Sequence, residues 1–94
     1  MKTIPHWING QAKQTTSGRF GDVFDPALGA VVSKVGFADQ ADIASAVSAA
    51  KAAFPAWRDL ALGKRQGIIF KFRELLEAKK SELAAIITDE HGKV

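Results

Sequence analysis

Two histidines, two closely spaced aspartates and one glycine-arginine stretch are the residues of this 94-residue chain whose types do chemistry. His6 and His91 lie at opposite ends. A metal site on a helix wants a second ligand one turn away, and His91 has none at i±4, so it reads as a helix-end histidine facing the negative end of the macrodipole. Asp39 and Asp42 are three apart, a spacing that an acid–base pair could use. They also stand where an apolar-periodic stretch begins, and capping the helix explains both. Gly18-Arg19-Phe20-Gly21 lacks the Gly-x-Gly-x-x-Gly spacing of a dinucleotide loop and opens no helix, so it reads as a turn leading into a strand. Trp7 and Trp57 could be ligand platforms, but packing against protein is the simpler role for an indole. Lys64, Arg65, Lys71, Arg73, Lys79 and Lys80 make a basic face that a nucleic-acid binder would need. Glu74, Glu77 and Glu82 interrupt it, which favours a solvated helix face. The chain has no Cys, hence no thiolate nucleophile and no disulfide. The residues thus assign no catalytic, cofactor-binding or metal position.

The elements that must carry these residues divide near Ala38. Before it the chain is rich in Gly, Thr, Ser and Val, and after it in Ala, Leu, Ile, Lys and Glu. Strands followed by helices predict an α+β fold rather than alternating βαβ units. Asn9-Gly10 predicts a type I′ hairpin turn, because both of its central positions need positive φ. Arg19 to Phe24 reads as a strand with Phe20 inward, and Val23 or Phe24 as the further candidates for that face. Asp25-Pro26-Ala27-Leu28-Gly29 reads as a turn, and Ala30 to Val35 as a β-branched strand. Residues 4–36 are therefore expected to form two hairpin-like units.

Ile43, Val47, Ala50, Phe54 and Trp57 recur at three or four, so a first helix is expected over 39–54, ending or kinking at Pro55. A second is expected over 62–78, with Ile68 or Ile69, Phe72, Leu75 and Leu76 as its stripe. Gly63 and Gly67 each cost it about 1 kcal/mol relative to Ala. A third is expected over 81–91, closed by Gly92. The chain reads as one unit over 1–94, with a hairpin part at 1–38 and a helical part at 39–94.

Composition is that of a globular protein, 47% hydrophobic and 24% charged, with a net charge of +3. That charge is too small to call for a nucleic-acid partner. No apolar run approaches the roughly 20 residues that span a bilayer, and Met1 to His6 is neither a signal nor a transit peptide. A cytoplasmic location is expected.

Several stretches carry a family resemblance. His6-Trp7-Ile8-Asn9-Gly10-Gln11 resembles the opening hairpin of aldehyde dehydrogenases. Ser17-Gly18-Arg19-Phe20-Gly21-Asp22-Val23-Phe24-Asp25-Pro26, with Gly29 after it, resembles their next strand and turn. Ala53-Phe54-Pro55-Ala56-Trp57-Arg58 is similar to the end of their first long helix. Phe70-Lys71-Phe72-Arg73-Glu74-Leu75-Leu76-Glu77 and Glu90-His91-Gly92-Lys93-Val94 continue the match in order and spacing. Within the superfamily these stretches look most like the CoA-acylating methylmalonate-semialdehyde dehydrogenases. Two positions depart from the pattern: Asp25 stands where the family has Asn, and Leu60-Ala61-Leu62-Gly63 replaces a Ser- or Thr-containing helix start.

The resemblance implies the N-terminal segment of an oligomeric enzyme that oxidises methylmalonate or malonate semialdehyde with NAD and passes the acyl group to CoA. In that chemistry a Cys thiolate attacks the aldehyde and the thiohemiacetal delivers hydride. The family's Cys, general-base Glu, oxyanion Asn and NAD-binding segments match no position here. The expectation is a structural segment, inactive alone and holding neither NAD nor CoA. Its partner is the remainder of such an enzyme, or a second copy through apolar helix faces. A stand-alone protein-interaction module and a weak nucleic-acid binder are the alternatives.

Overall fold

The computed structural model describes residues 1–94. Five strands precede three helices. Strands β2 (His6–Ile8) and β3 (Gln11–Lys13) pair antiparallel, with Trp7 opposite Ala12. Asn9 and Gly10 between them have φ of 54° and 74°, the two positive values that a type I′ turn requires. Strands β4 (Phe20–Asp25) and β5 (Ala30–Gly36) form the second hairpin. Its turn is held by the Asp25 carboxylate, which accepts from the N–H of Ala27 at 2.8 Å, while Gly29 takes φ of 67°. The ladder shifts register between Val23 and Phe24, opposite Ser33 and Val31, so Val32 is the extra residue of a β-bulge.

Two features differ from the sequence reading of this half. A further strand, β1 (Lys2–Ile4), pairs parallel to β5, giving a three-stranded sheet in the order β1-β5-β4 with the β2–β3 hairpin as a separate ribbon. Three residues pairing with a strand some thirty positions away leave no local periodicity to read. Along β4 it is Gly21, Val23 and Asp25 that are shielded, while Phe20 and Phe24 are exposed. The ring of Phe37 lies over Gly21, where a Cβ would meet it at 2.5 Å. That closeness decides which way the alternation faces.

Helix α1 (Gln40–Asp59) starts at Asp39. The Asp39 carboxylate accepts from the N–H of Asp42 at 2.8 Å, and the Asp42 carboxylate accepts from the N–H of Asp39 at 3.2 Å. This is a capping box built from two aspartates. The helix does not stop at 54: it runs through Pro55 to Asp59. Proline forfeits only the bond to Lys51, and Leu60 closes the end by donating to the Trp57 carbonyl at 3.3 Å. Helix α2 (Leu62–Ala78) follows with no side-chain cap at Ala61, as the missing Ser or Thr implies. Lys79 alone separates it from α3 (Lys80–His91), one residue longer at its start than expected. Gly92 ends α3 in the left-handed region at φ 76°, donating to the Thr88 carbonyl at 2.8 Å.

Packing between these elements is sparse. Helix α3 lies against β4 and α1 against β2. Only three of 94 residues are buried and no hydrophobic side chain is among them. The radius of gyration is 17.0 Å, against about 12 Å for a compact domain of this length. The helices enclose no hydrophobic core with the sheet.

Candidate functional site

The sequence brings one set of polar side chains together, at the joint between the start of α1 and the β2–β3 hairpin. Asp42 is its centre and is only 2% exposed. Its position one turn into α1 aims the carboxylate back at the loop after β3. There the Thr15 hydroxyl reaches Oδ2 at 2.9 Å, the Thr16 hydroxyl reaches Oδ1 at 3.2 Å, and the Thr16 N–H reaches Oδ2 at 3.3 Å. From β2, His6 Nε2 stands 3.3 Å from Oδ2. The Thr16 hydroxyl also reaches the Asp39 carboxylate at 2.7 Å. The Ser17 hydroxyl donates to the Phe37 carbonyl at 2.6 Å, and the Arg19 guanidinium to the Ala38 carbonyl at 3.3 Å. Burial by itself raises the Asp42 pKa. The Thr15 hydroxyl, the N–H groups of Asp39 and Thr16, and the Thr16 hydroxyl outweigh it and hold the carboxyl well below the usual carboxylate range.

A histidine, a carboxylate and a hydroxyl in contact invite comparison with a catalytic triad. The connectivity is wrong for one. A triad needs the hydroxyl bonded to the imidazole and the imidazole oriented by the carboxylate. Here the Thr15 hydroxyl has its acceptors in Asp42 and the Phe37 carbonyl, and both Thr15 and His6 converge on the acid. No base is left for the hydroxyl, so the arrangement fastens elements together.

The other residues with chemical potential stay apart. Asp39 and Asp42 exchange backbone N–H bonds instead of facing each other as acid and base. His91 sits in the last turn of α3, and no three His, Cys, Asp or Glu side chains stand close enough to hold a metal ion. Gly18, at φ 71°, turns the chain into β4. Trp7 is 73% exposed. Lys71 pairs with Glu74 at 3.5 Å and Lys79 with Glu82 at 3.7 Å, so acids divide the basic face as the sequence suggested. Sequence reasoning gave Asp39 and Asp42 their capping role but missed His6, Thr15 and Thr16 around Asp42. The available signal was the run of hydroxyls at 15–17 ahead of a capping aspartate pair.

The most extensive feature is apolar. Ile43, Val47 and Phe54 on α1, Ile69, Phe72 and Leu76 on α2, and Leu83, Ile86 and Ile87 on α3 all lie exposed on their helices. Each set follows the three-to-four spacing of a face made to be covered. No helix is long and apolar enough to cross a membrane. Exposed apolar side chains are thus present on all three helices.

Residues 12–94 match the model of the aldehyde dehydrogenase family. The chain is 41% identical over 93 residues to the malonate-semialdehyde dehydrogenase of Pseudomonas aeruginosa, covering 99% of this chain and 18% of that protein. It is 42% identical over 90 residues to the mitochondrial acylating methylmalonate-semialdehyde dehydrogenase of Arabidopsis thaliana, covering 96% of this chain and 15% of that one. The crystal structure of a protein described as a methylmalonate-semialdehyde dehydrogenase from Sinorhizobium meliloti, complexed with NAD, superposes with a TM-score of 0.94. That match has 40% identity and covers 97% of this chain and 18% of the other. The methylmalonate-semialdehyde dehydrogenase of Oceanimonas doudoroffii superposes with a TM-score of 0.91 at 41% identity, over the same shares of the two chains. The chain therefore spans less than a fifth of the length of the relatives it matches. Sequence and fold together place the chain in the aldehyde dehydrogenase family.

Proposed function

We propose that this chain serves as the N-terminal scaffold of an NAD-dependent, CoA-acylating dehydrogenase acting on malonate or methylmalonate semialdehyde, and that it supplies no catalytic residue. The observation that carries this reading is the pairing of a match to semialdehyde dehydrogenases over nearly all of this chain with helices that bury no apolar side chain. A surface that follows a family's fold closely and lacks its own core is built to pack on the rest of that fold. The hairpins and helix faces would dock on the remainder of the enzyme, in an oligomer and in the cytoplasm. A cysteine-free chain suits that reducing compartment.

We infer that this segment by itself holds neither NAD nor CoA. Both bring phosphates, and phosphates favour the N–H groups at a helix N-terminus. The N-terminus of α1 is filled by the carboxylates of Asp39 and Asp42, which repel an anion. The glycines at 18 and 21 lead into β4, not into a helix. With no sulfur nucleophile, no step of aldehyde oxidation is assigned here. Incubated with malonate semialdehyde, NAD and CoA, the 94-residue chain is expected to form no NADH above a protein-free control, followed by absorbance. NADH formed at enzyme-like rates would sink the reading of a non-catalytic scaffold.

A further inference from the structure

Asp42 is the one ionisable side chain this fold buries, and its contacts reach beyond the cap of α1 that it helps to close. Its surroundings are nearly all donors. The N–H groups of Asp39 and Thr16 have nothing to offer but a proton, and the hydroxyls of Thr15 and Thr16 lie within reach of the same two oxygens, each sharing its one hydrogen with a second acceptor, the Phe37 carbonyl for Thr15 and the Asp39 carboxylate for Thr16. A carboxylate satisfies them all, because it accepts at both oxygens. A protonated carboxyl presents a donor of its own into that ring, and the remaining bonds lose the strength that the charge gave them.

The groups at stake tie separate parts of the chain. His6 belongs to β2, Thr15 and Thr16 to the loop after β3, and Asp39 and Asp42 to the start of α1. Against this joint α1 has little else: it packs on β2, and Lys13 Nζ reaches the Ser45 hydroxyl at 3.2 Å. The charged and titratable groups around Asp42 are His6 on β2, Lys13 on β3, Arg19 before β4, and Asp39 on its own cap. The β1-β5-β4 ladder does not pass through it.

We infer that Asp42 is an acid-sensitive latch: its ionised carboxylate fastens the start of α1 to β2 and to the Thr15–Thr16 loop, and its protonation frees the start of α1 while the three-stranded sheet, with α3 against β4, stays in place. The sign follows from the donor ring. A carboxyl held below its ordinary value of 3.8 stabilises the joint fully above that value and gives up the stabilisation as pH falls beneath it.

The test uses the full chain carrying Trp57→Phe, so that Trp7 is the only indole. Trp7 lines the groove against Ile43 and Ala46 of α1 and reports the joint. Between pH 7 and pH 2 its emission is expected to pass through a transition below about pH 4. Adding Asp42→Asn is expected to give the low-pH emission at pH 7 and to cut the acid amplitude about tenfold. Thr15→Val keeps the carboxylate and removes one donor, so it should move the midpoint upward. His6→Gln should retain the transition. An acid transition that survives Asp42→Asn, a midpoint unmoved by Thr15→Val, or a transition that disappears with His6→Gln would each overturn the latch.

Discussion

In isolation the chain is expected to self-associate at micromolar concentration and to unfold in urea without a sharp transition. Compact small domains lose stability at about 1–3 kcal/mol per molar urea, in proportion to the surface that unfolding exposes. Here the helices expose that surface already, with no hydrophobic side chain buried. A slope below about 1 kcal/mol per molar is therefore expected by circular dichroism. The apolar face of α2 should contribute most to association, because Ile69, Phe72 and Leu76 fall on one side at spacings of three and four. Phe72 is 58% exposed. Burying such a ring is worth about 1.5–3 kcal/mol. Phe72→Asp should therefore weaken association by about tenfold or more, read by light scattering after chromatography. A sharp monomeric transition of the unaltered chain would favour a stand-alone interaction module instead.

Gly36→Val is expected to be the most damaging substitution within the sheet. Gly36 is one of the three buried residues. A Cβ there would lie 2.9 Å from Thr15 Cγ2 and 3.1 Å from Thr15 Cβ. Thr15 cannot give way freely, because its hydroxyl is bound to Asp42 and Phe37. The clash is therefore passed to the joint that holds α1. Overpacking of this kind costs about 1–3 kcal/mol, a large share of what so open a chain has. Gly63→Ala is the control with the opposite sign. Nothing lies within 4 Å of a Cβ at Gly63, and the change removes about 1 kcal/mol of helix penalty. Hydrogen exchange at the N–H groups of Asp42 and Ile43 should quicken in the first variant and stay unchanged in the second. Equal exchange in both would show that Thr15 yields and that the joint tolerates the added methyls.

The sequence made local structure plain wherever one residue type has one physical use. Asn9-Gly10 specified its turn, Gly92 closed α3 and Asp39 opened α1, because positive φ and N-capping admit few residues. The helices were legible from apolar spacing, apart from the passage through Pro55. There the lost bond is a single one, and the helix has four more residues to gain. What escaped was non-local. The pairing of β1 with β5, and the convergence of His6, Thr15 and Thr16 on Asp42, join residues 26 to 36 positions apart in sequence. Such contacts are set by how the sheet folds back, and no window of sequence contains them. The outward face of Phe20 belongs to the same class, since the Phe37 ring claims the other side at Gly21. The family resemblance reached further than either, because five stretches in register carry the order of the whole segment.

The proposed scaffold role requires that the exposed helix faces fit the rest of a semialdehyde dehydrogenase. Exchange of this chain for the matching segment of the Pseudomonas aeruginosa relative tests it directly, with malonate-semialdehyde oxidation followed as NADH. A soluble chimera that turns over is the predicted result. A soluble, folded chimera that forms no NADH would contradict it.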